Sequence, residues 1–271
     1  MHQETALRTY FESAPRKPDM TRGMVYIVVA TLLFLVSVST SSGSGTLSGG
    51  CAMFFAAPAV VLGLWGAGKL WRAWAKYQRQ LREAAAGPQD EEVQTWLDQG
   101  LDRVKEHALS SLGLTDDELV SDPLMVVAPV VWSVDGISDG DLLLRTGSDG
   151  CARFGVYSVA TIALTERHLC AFRCEYSFVQ DRIRNEKTCE YHYGDIVSVS
   201  TREEPCTLRL PSGKELAKVQ EFRVSIPSGE AIRITVDVPE IRRMAGVDSL
   251  PTSGAEKAVR AIRAMLRQKK P

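Results

Sequence analysis

The hydrophobic pattern of the chain changes three times. Two apolar runs, Met24 to Val38 and Cys51 to Leu70, flank the Ser/Gly-rich connector from Ser39 to Gly50. Neither run holds an Asp, Glu, Arg or His, and the one lysine, Lys69, stands at the end of the second. Runs of this length and composition match helices that cross ~30 Å of hydrocarbon. From Gln89 the period turns amphipathic: Val93, Trp96, Leu97, Leu101, Val104, Ala108 and Leu112 share a helical face, acids open the segment and Gly113 closes it. From about Leu124 the period falls to two, with β-branched residues between Gly, Asp and Ser turns. Strands are expected over 124–132, 141–146, 152–157, 158–165, 168–176, 189–201, 207–210, 219–226 and 231–238. A last amphipathic helix runs from Ala255 to Lys269, with Val259, Ile262, Met265 and Leu266 on one side.

The predicted fold class is therefore α+β: a two-helix transmembrane hairpin followed by a mostly antiparallel β domain with a C-terminal helix. Residues 1–23, broken by Pro15 and Pro18, are expected as a flexible cytoplasmic tail. Residues 24–86 form the hairpin with a juxtamembrane helix, 89–113 the amphipathic helix, and 120–271 the β domain.

Charge orients this picture. The connector is uncharged, whereas Lys69, Arg72, Lys76, Arg79 and Arg82 follow the second run. The positive-inside rule then puts both termini in the cytoplasm of a two-span inner-membrane protein, with the lipid bilayer as its first partner. Trp65, Trp71, Trp74 and Tyr77, with Lys69, Arg72, Lys76 and Arg79, are the expected membrane interface. Ala59, Gly63 and Ala67 recur every fourth residue as a small-residue contact face, equally suited to the hairpin itself and to a homo-oligomer. A second apolar run a dozen residues after the first argues for a retained anchor over a cleaved signal peptide. The net charge of -1 supplies no field for nucleic acid, and the basic residues are not interleaved with aromatics.

Candidate chemistry is sparse. The six cysteines are irregularly spaced, as buried reduced thiols are. His168, Cys170, Cys174, Cys189 and His192 are the best zinc candidates by residue type. Strand alternation, however, puts 168, 170 and 174 on one face with Phe172 and Tyr176, which is the signature of a core. Asp135, Asp139 and Asp141 lack the ligand order of a calcium loop and read as hairpin turns. No phosphate-binding glycine loop and no nucleophile signature occurs. No catalytic, cofactor or metal residue is expected, and the chain reads as a non-enzyme.

The segment from Ile162 to Phe172, Ile-Ala-Leu-Thr-Glu-Arg-His-Leu-Cys-Ala-Phe, resembles a hairpin of pleckstrin-homology-like (bacterial PH and GRAM-type) domains. Tyr193 to Val199 resembles the strand that follows it there, entered through an Asp-Ile step, and the strands and final helix come in the same order. The resemblance covers roughly Tyr157 to Lys270. The stretch from Ala258 to Leu266 is also similar to the C-terminal end of an uncharacterised bacterial membrane-protein family. These resemblances imply a membrane-anchored scaffold presenting a PH-like domain whose ligand is a lipid head group, a peptide or another copy of itself. The alternative is a small oligomeric membrane effector or channel with a cytosolic sensing domain.

Overall fold

The computed structural model describes residues 2–12, 24–26, 28, 29, 31, 32, 61, 64–79, 87–213, 215–248, 250 and 254–269. The chain divides into two units, one made of Met1–Phe11 with Pro88–Pro271 and the other of Glu12–Gly87.

In the larger unit α1 (His2–Glu12) and α2 (Asp90–Leu112) precede β1 (Leu124–Pro129). Then come the short hairpin β2 (Leu144–Thr146) and β3 (Ala152–Phe154), followed by β4 (Val156–Leu164), β5 (His168–Ser177) and β6 (Arg182–His192). Strands β7 (Ser198–Arg209), β8 (Glu215–Ile226) and β9 (Gly229–Asp237) lead to α3 (Pro239–Ala245) and α4 (Ala255–Lys269). All pairings are antiparallel, in sheets ordered β1-β4-β5-β6, β2-β3 and β7-β8-β9.

Strand β4 is buried on both faces, which is why it reads as a continuous apolar run. One face of the four-stranded sheet, with Val159, Phe172, Cys174 and Tyr176, packs in a core with Leu7 and Tyr10 of α1 and Val93, Leu97 and Val104 of α2. The other, with Ile162, Leu164, Leu169 and Ala171, meets Phe222, Val224, Ile232 and Ile234 of the second sheet. Helix α4 closes that second core with Ala258, Val259, Ile262 and Met265. Two glycines permit these approaches. A Cβ on Gly100 would stand 2.2 Å from the Tyr176 hydroxyl, so only Gly lets α2 lie this close to β5. Gly254, at φ +72°, leads into α4, and a Cβ there would stand 2.2 Å from the Met125 carbonyl oxygen.

Helices α2 and α4 match their sequence-based bounds within a residue. The expected strand 189–201 is instead two strands, parted by a 3-10 turn at Tyr193–Asp195. Residues 2–12, expected in a flexible tail, form a helix because Leu7, Tyr10 and Phe11 bury one turn against the larger unit.

The smaller unit requires a correction. Its described helical residues 64–79 carry Lys69, Arg72, Lys76 and Arg79. Among the described residues no helix is long and apolar enough to cross a membrane. The transmembrane hairpin, and with it the two-span inner-membrane location, is not supported. Most of both apolar runs and the whole connector lie outside the described residues, as do Ala59, Gly63 and Cys51.

Candidate binding cleft

The inner face of β5 changes character along its length. Leu169 and Ala171 are fully buried in the inter-sheet core, but the next residues on that face, Arg173 and Glu175, are only partly buried. The two sheets part there. The opening is a cavity of about 440 Å³, whose lining includes Val130, Trp132, Arg173, Glu175, Glu221 and Arg233. A second cavity of about 380 Å³ shares Val134, Arg173 and Glu175 with it and adds Asn185 and Lys187.

Irregular strand pairing borders this cleft on three sides. In the β5–β6 ladder Arg173 pairs with Lys187 and Glu175 with Arg184, so Cys174 faces two residues of β6. One of them, Asn185, takes φ +52°, a left-handed conformation that Asn tolerates better than most side chains. The β7–β8 register shifts between Pro205 and Leu208, and the β8–β9 register between Gln220 and Glu221. Bulges of this kind bend strands and re-aim side chains, and they concentrate beside functional sites.

The two walls differ electrostatically. On the β7–β9 side the charges pair among themselves. Glu221, almost fully buried, accepts from Arg223 at 3.4 Å and Arg233 at 3.1 Å. Glu204 lies 3.4 Å from Arg202 and 3.5 Å from Arg223. On the β5–β6 side Arg173, Lys187 and Glu175 form no ion pair among the described residues, and the buried Arg173 Nε has no hydrogen-bond partner. Burial pushes the Glu175 carboxyl above the usual carboxylate range, while a hydrogen bond with Asn185 and the charges of Arg173 and Lys187 pull it partly back. The one thiol on the lining, Cys206, donates to the Leu216 carbonyl at 3.4 Å.

A second charged cluster holds α1 in place. Asp90 Oδ1 accepts from the Tyr10 hydroxyl at 2.6 Å, and Oδ2 accepts from the Ser148 amide and hydroxyl, both at 2.7 Å. Burial pushes the Asp90 carboxyl up, but these bonds and the Arg153 charge outweigh it and hold the group at about 2. Arg8 donates to buried Asp141 at 2.8 Å, Gln180 donates to the same carboxylate, and Arg145 donates to the Tyr10 carbonyl. Arg153 donates to Asp149 at 2.7 Å.

The other candidates lie elsewhere. Cys170 and Cys174 are core residues, their thiols pushed by burial to about 11 and about 12. The rings of His168 and His192 lie 4.2 Å apart between centroids, with His168 Nδ1 2.7 Å from Glu190. Among the described residues no three His, Cys, Asp or Glu side chains gather into a metal site. Asp139 and Asp141 belong to a 3-10 turn, with Asp141 occupied by Arg8. On α4, Arg263 donates to the Val199 carbonyl at 2.9 Å and Lys269 pairs with Glu166 at 2.7 Å, so part of the basic face is engaged internally.

In the smaller unit Lys69 Nζ sits 4.0 Å from the Trp65 ring centroid and 5.0 Å from that of Tyr26, whose rings meet edge to face at 5.1 Å. The rings of Trp71 and Trp74 lie 5.8 Å apart, tilted by 39°. Arg72, Lys76, Arg79 and Ala67 are exposed on the same helix and Tyr77 is half-buried. None of these residues belongs to the cleft.

Sequence reasoning missed the cleft. It followed the Cys170–Phe172–Cys174 face of β5, while the opposite face passes from Leu169 and Ala171 to Arg173 and Glu175. That switch from apolar to charged at a spacing of two was the available signal. No family model matches the chain, and neither a curated protein nor a solved structure matches it.

Proposed function

We propose that the larger unit is a non-enzymatic binding module of the pleckstrin-homology-like kind, with the inter-sheet cleft as its ligand seat. Two observations of architecture support the reading. With the β2–β3 hairpin set aside, seven strands follow one another as a four-stranded and a three-stranded antiparallel sheet. Helix α4 then packs across β1 and β7. The observation that carries it is the cleft itself, where Arg173 and Glu175 are partly desolvated without ion-pair partners. Removing charges from water without pairing them is costly, and a bound ligand offsets that cost. The cleft's thiol donates to a backbone carbonyl, a contact that does not activate it as a nucleophile.

The test is a thermal-shift screen of the full-length protein against small anions, cations, zwitterions and short peptides, run in parallel on Arg173→Ala. The reading expects at least one compound that stabilises the parent, leaves Arg173→Ala unshifted and is recovered chemically unchanged. A screen in which no compound shifts the parent, or in which the stabilising compound is turned over, would sink it.

A further inference from the structure

Three kinds of small ligand can be weighed against the charges that line the cleft. A simple anion would meet Arg173 and Arg233, but also Glu175, Glu204 and Glu221 on the surrounding walls. A simple cation would meet those carboxylates but would face Arg173, with Lys187 behind it in the adjoining cavity. An apolar ligand would desolvate Arg173 and Glu175 further without giving either an ion-pair partner, the costliest arrangement of the three. A molecule with one positive and one negative end satisfies both residues and adds no net charge to a site whose other acids and arginines already neutralise each other.

The spacing fits such a molecule. Arg173 and Glu175 are two apart on one strand, so they face the same way with backbones about 7 Å apart. The β6 bulge opposite Cys174 lies between their pairing positions, and Asn185 of that bulge donates to the Asp135 carbonyl at 2.8 Å. Carboxylate-to-arginine and ammonium-to-glutamate bonds made side by side are charge-assisted and thus the stronger kind. Beyond this pair the wall turns apolar, with Val130, Trp132, Val134 and Leu208. The geometry points to an amino acid with an apolar side chain as the ligand: its carboxylate on Arg173, its ammonium group on Glu175, and its side chain against Trp132. This assignment rests on the reading of the cleft as a ligand seat and names what sits there.

Isothermal titration of the full-length protein with L-leucine, L-methionine and L-phenylalanine tests it. N-acetyl-L-leucine, which lacks the cation, and L-leucinamide, which lacks the carboxylate, serve as matched probes. At least one free amino acid is expected to bind, and blocking either end of it should weaken binding tenfold or more. Glu175→Gln should erase the preference for leucine over N-acetyl-leucine, and Arg173→Gln the preference for leucine over leucinamide. Because the comparison among probes uses the parent protein, a variant that fails to fold leaves the test intact. If the blocked and free forms bind equally, the zwitterion assignment falls while the cleft remains a binding site. If none of the three amino acids binds but another compound from the thermal-shift screen does, the assignment falls in the same way. If nothing binds in either experiment, the assignment and the binding-module reading fall together.

Discussion

Replacing Tyr10 by Phe tests whether α1 is a working part of the larger unit. Tyr10 is only 1 % exposed, and its hydroxyl gives Asp90 a 2.6 Å hydrogen bond. The substitution keeps the ring, with its contact to the Arg145 guanidinium at 4.0 Å, and removes only the O–H. A hydrogen bond to a charged group contributes ~1.5–3 kcal/mol net. Asp90 keeps both bonds from Ser148, which favours the lower half of that range. An eleven-residue helix is not stable alone in water, so undocking and unwinding of α1 are one equilibrium. A loss of ~1.5–2.2 kcal/mol corresponds to an opening constant about 10- to 40-fold larger, at 1.4 kcal/mol per decade. Hydrogen exchange read by mass spectrometry should show that acceleration in peptides covering residues 6–11. Peptides from β4 and β5 should keep the parent rate, because their bonds open only with the whole unit. Unchanged exchange in the variant, or residues 6–11 already unprotected in the parent, would refute the docking argument.

Three further outcomes follow from the same geometry. Gly100→Ala drives a Cβ to 2.2 Å from the buried Tyr176 hydroxyl; the overpacking cost of ~3 kcal/mol exceeds the ~1 kcal/mol gain in helix propensity. A melting point at least ~4 °C lower is expected by calorimetry, partly restored in Gly100→Ala/Tyr176→Phe, and a stabilised single variant would contradict the close packing. Of the described cysteines, Cys151 is exposed while burial holds Cys170 at about 11 and Cys174 at about 12. Iodoacetamide at pH 8 should therefore alkylate Cys151 in the native protein and reach Cys170 and Cys174 only after unfolding, as peptide mass spectrometry would reveal. Asp90 titrates at about 2 when folded against 3.8 as a free side chain, so its contribution is complete above pH 3.8 and drains away as pH falls towards 2. Urea midpoints of parent and Asp90→Asn should differ at pH 6 and converge near pH 2; a constant gap across that range would disprove the linkage.

The elements that burial writes into sequence were legible, and those that polar contacts hold were not. Helix α2 shows its buried stripe of Val93, Leu97, Val104 and Ala108 at helical spacing, and α4 does the same with Ala258, Val259, Ile262 and Met265. Strand β5 was legible because Phe172 and Tyr176 mark one face. The first part of strand β6, residues 182–188, was lost because it lies on a mostly exposed edge, Arg-Ile-Arg-Asn-Glu-Lys-Thr, with no apolar alternation to betray it. Helix α1 offered only Leu7, Tyr10 and Phe11, a single turn of signal; what fixes it is Asp90 of α2, eighty positions away from Tyr10. Helix α3 was not expected, although Pro239 at its first turn and Gly246 just past its end form a pairing that marks helix limits even in seven residues.

The apolar runs of the N-terminal third misled for the complementary reason. Hydrophobicity says that a segment avoids water, but not what shields it, and among the described residues no helix is long and apolar enough to cross a membrane, while residues 64–79 carry four basic side chains. The cleft sits where both limits meet. Its position depends on three register shifts, and a shift is a relation between two strands that neither strand's own pattern encodes. Arg173 and Glu175 in isolation look like ordinary surface charges. They become a candidate site only because β7 to β9 fold over them and the ladder slips at Cys174. A change that restored regular pairing there, such as deletion of Asn185, would leave the apolar cores intact but redirect β6 beyond the slip. It should therefore abolish any cleft ligand's thermal shift while preserving cooperative unfolding. Ligand binding that survives the deletion would show that the slip does not build the site.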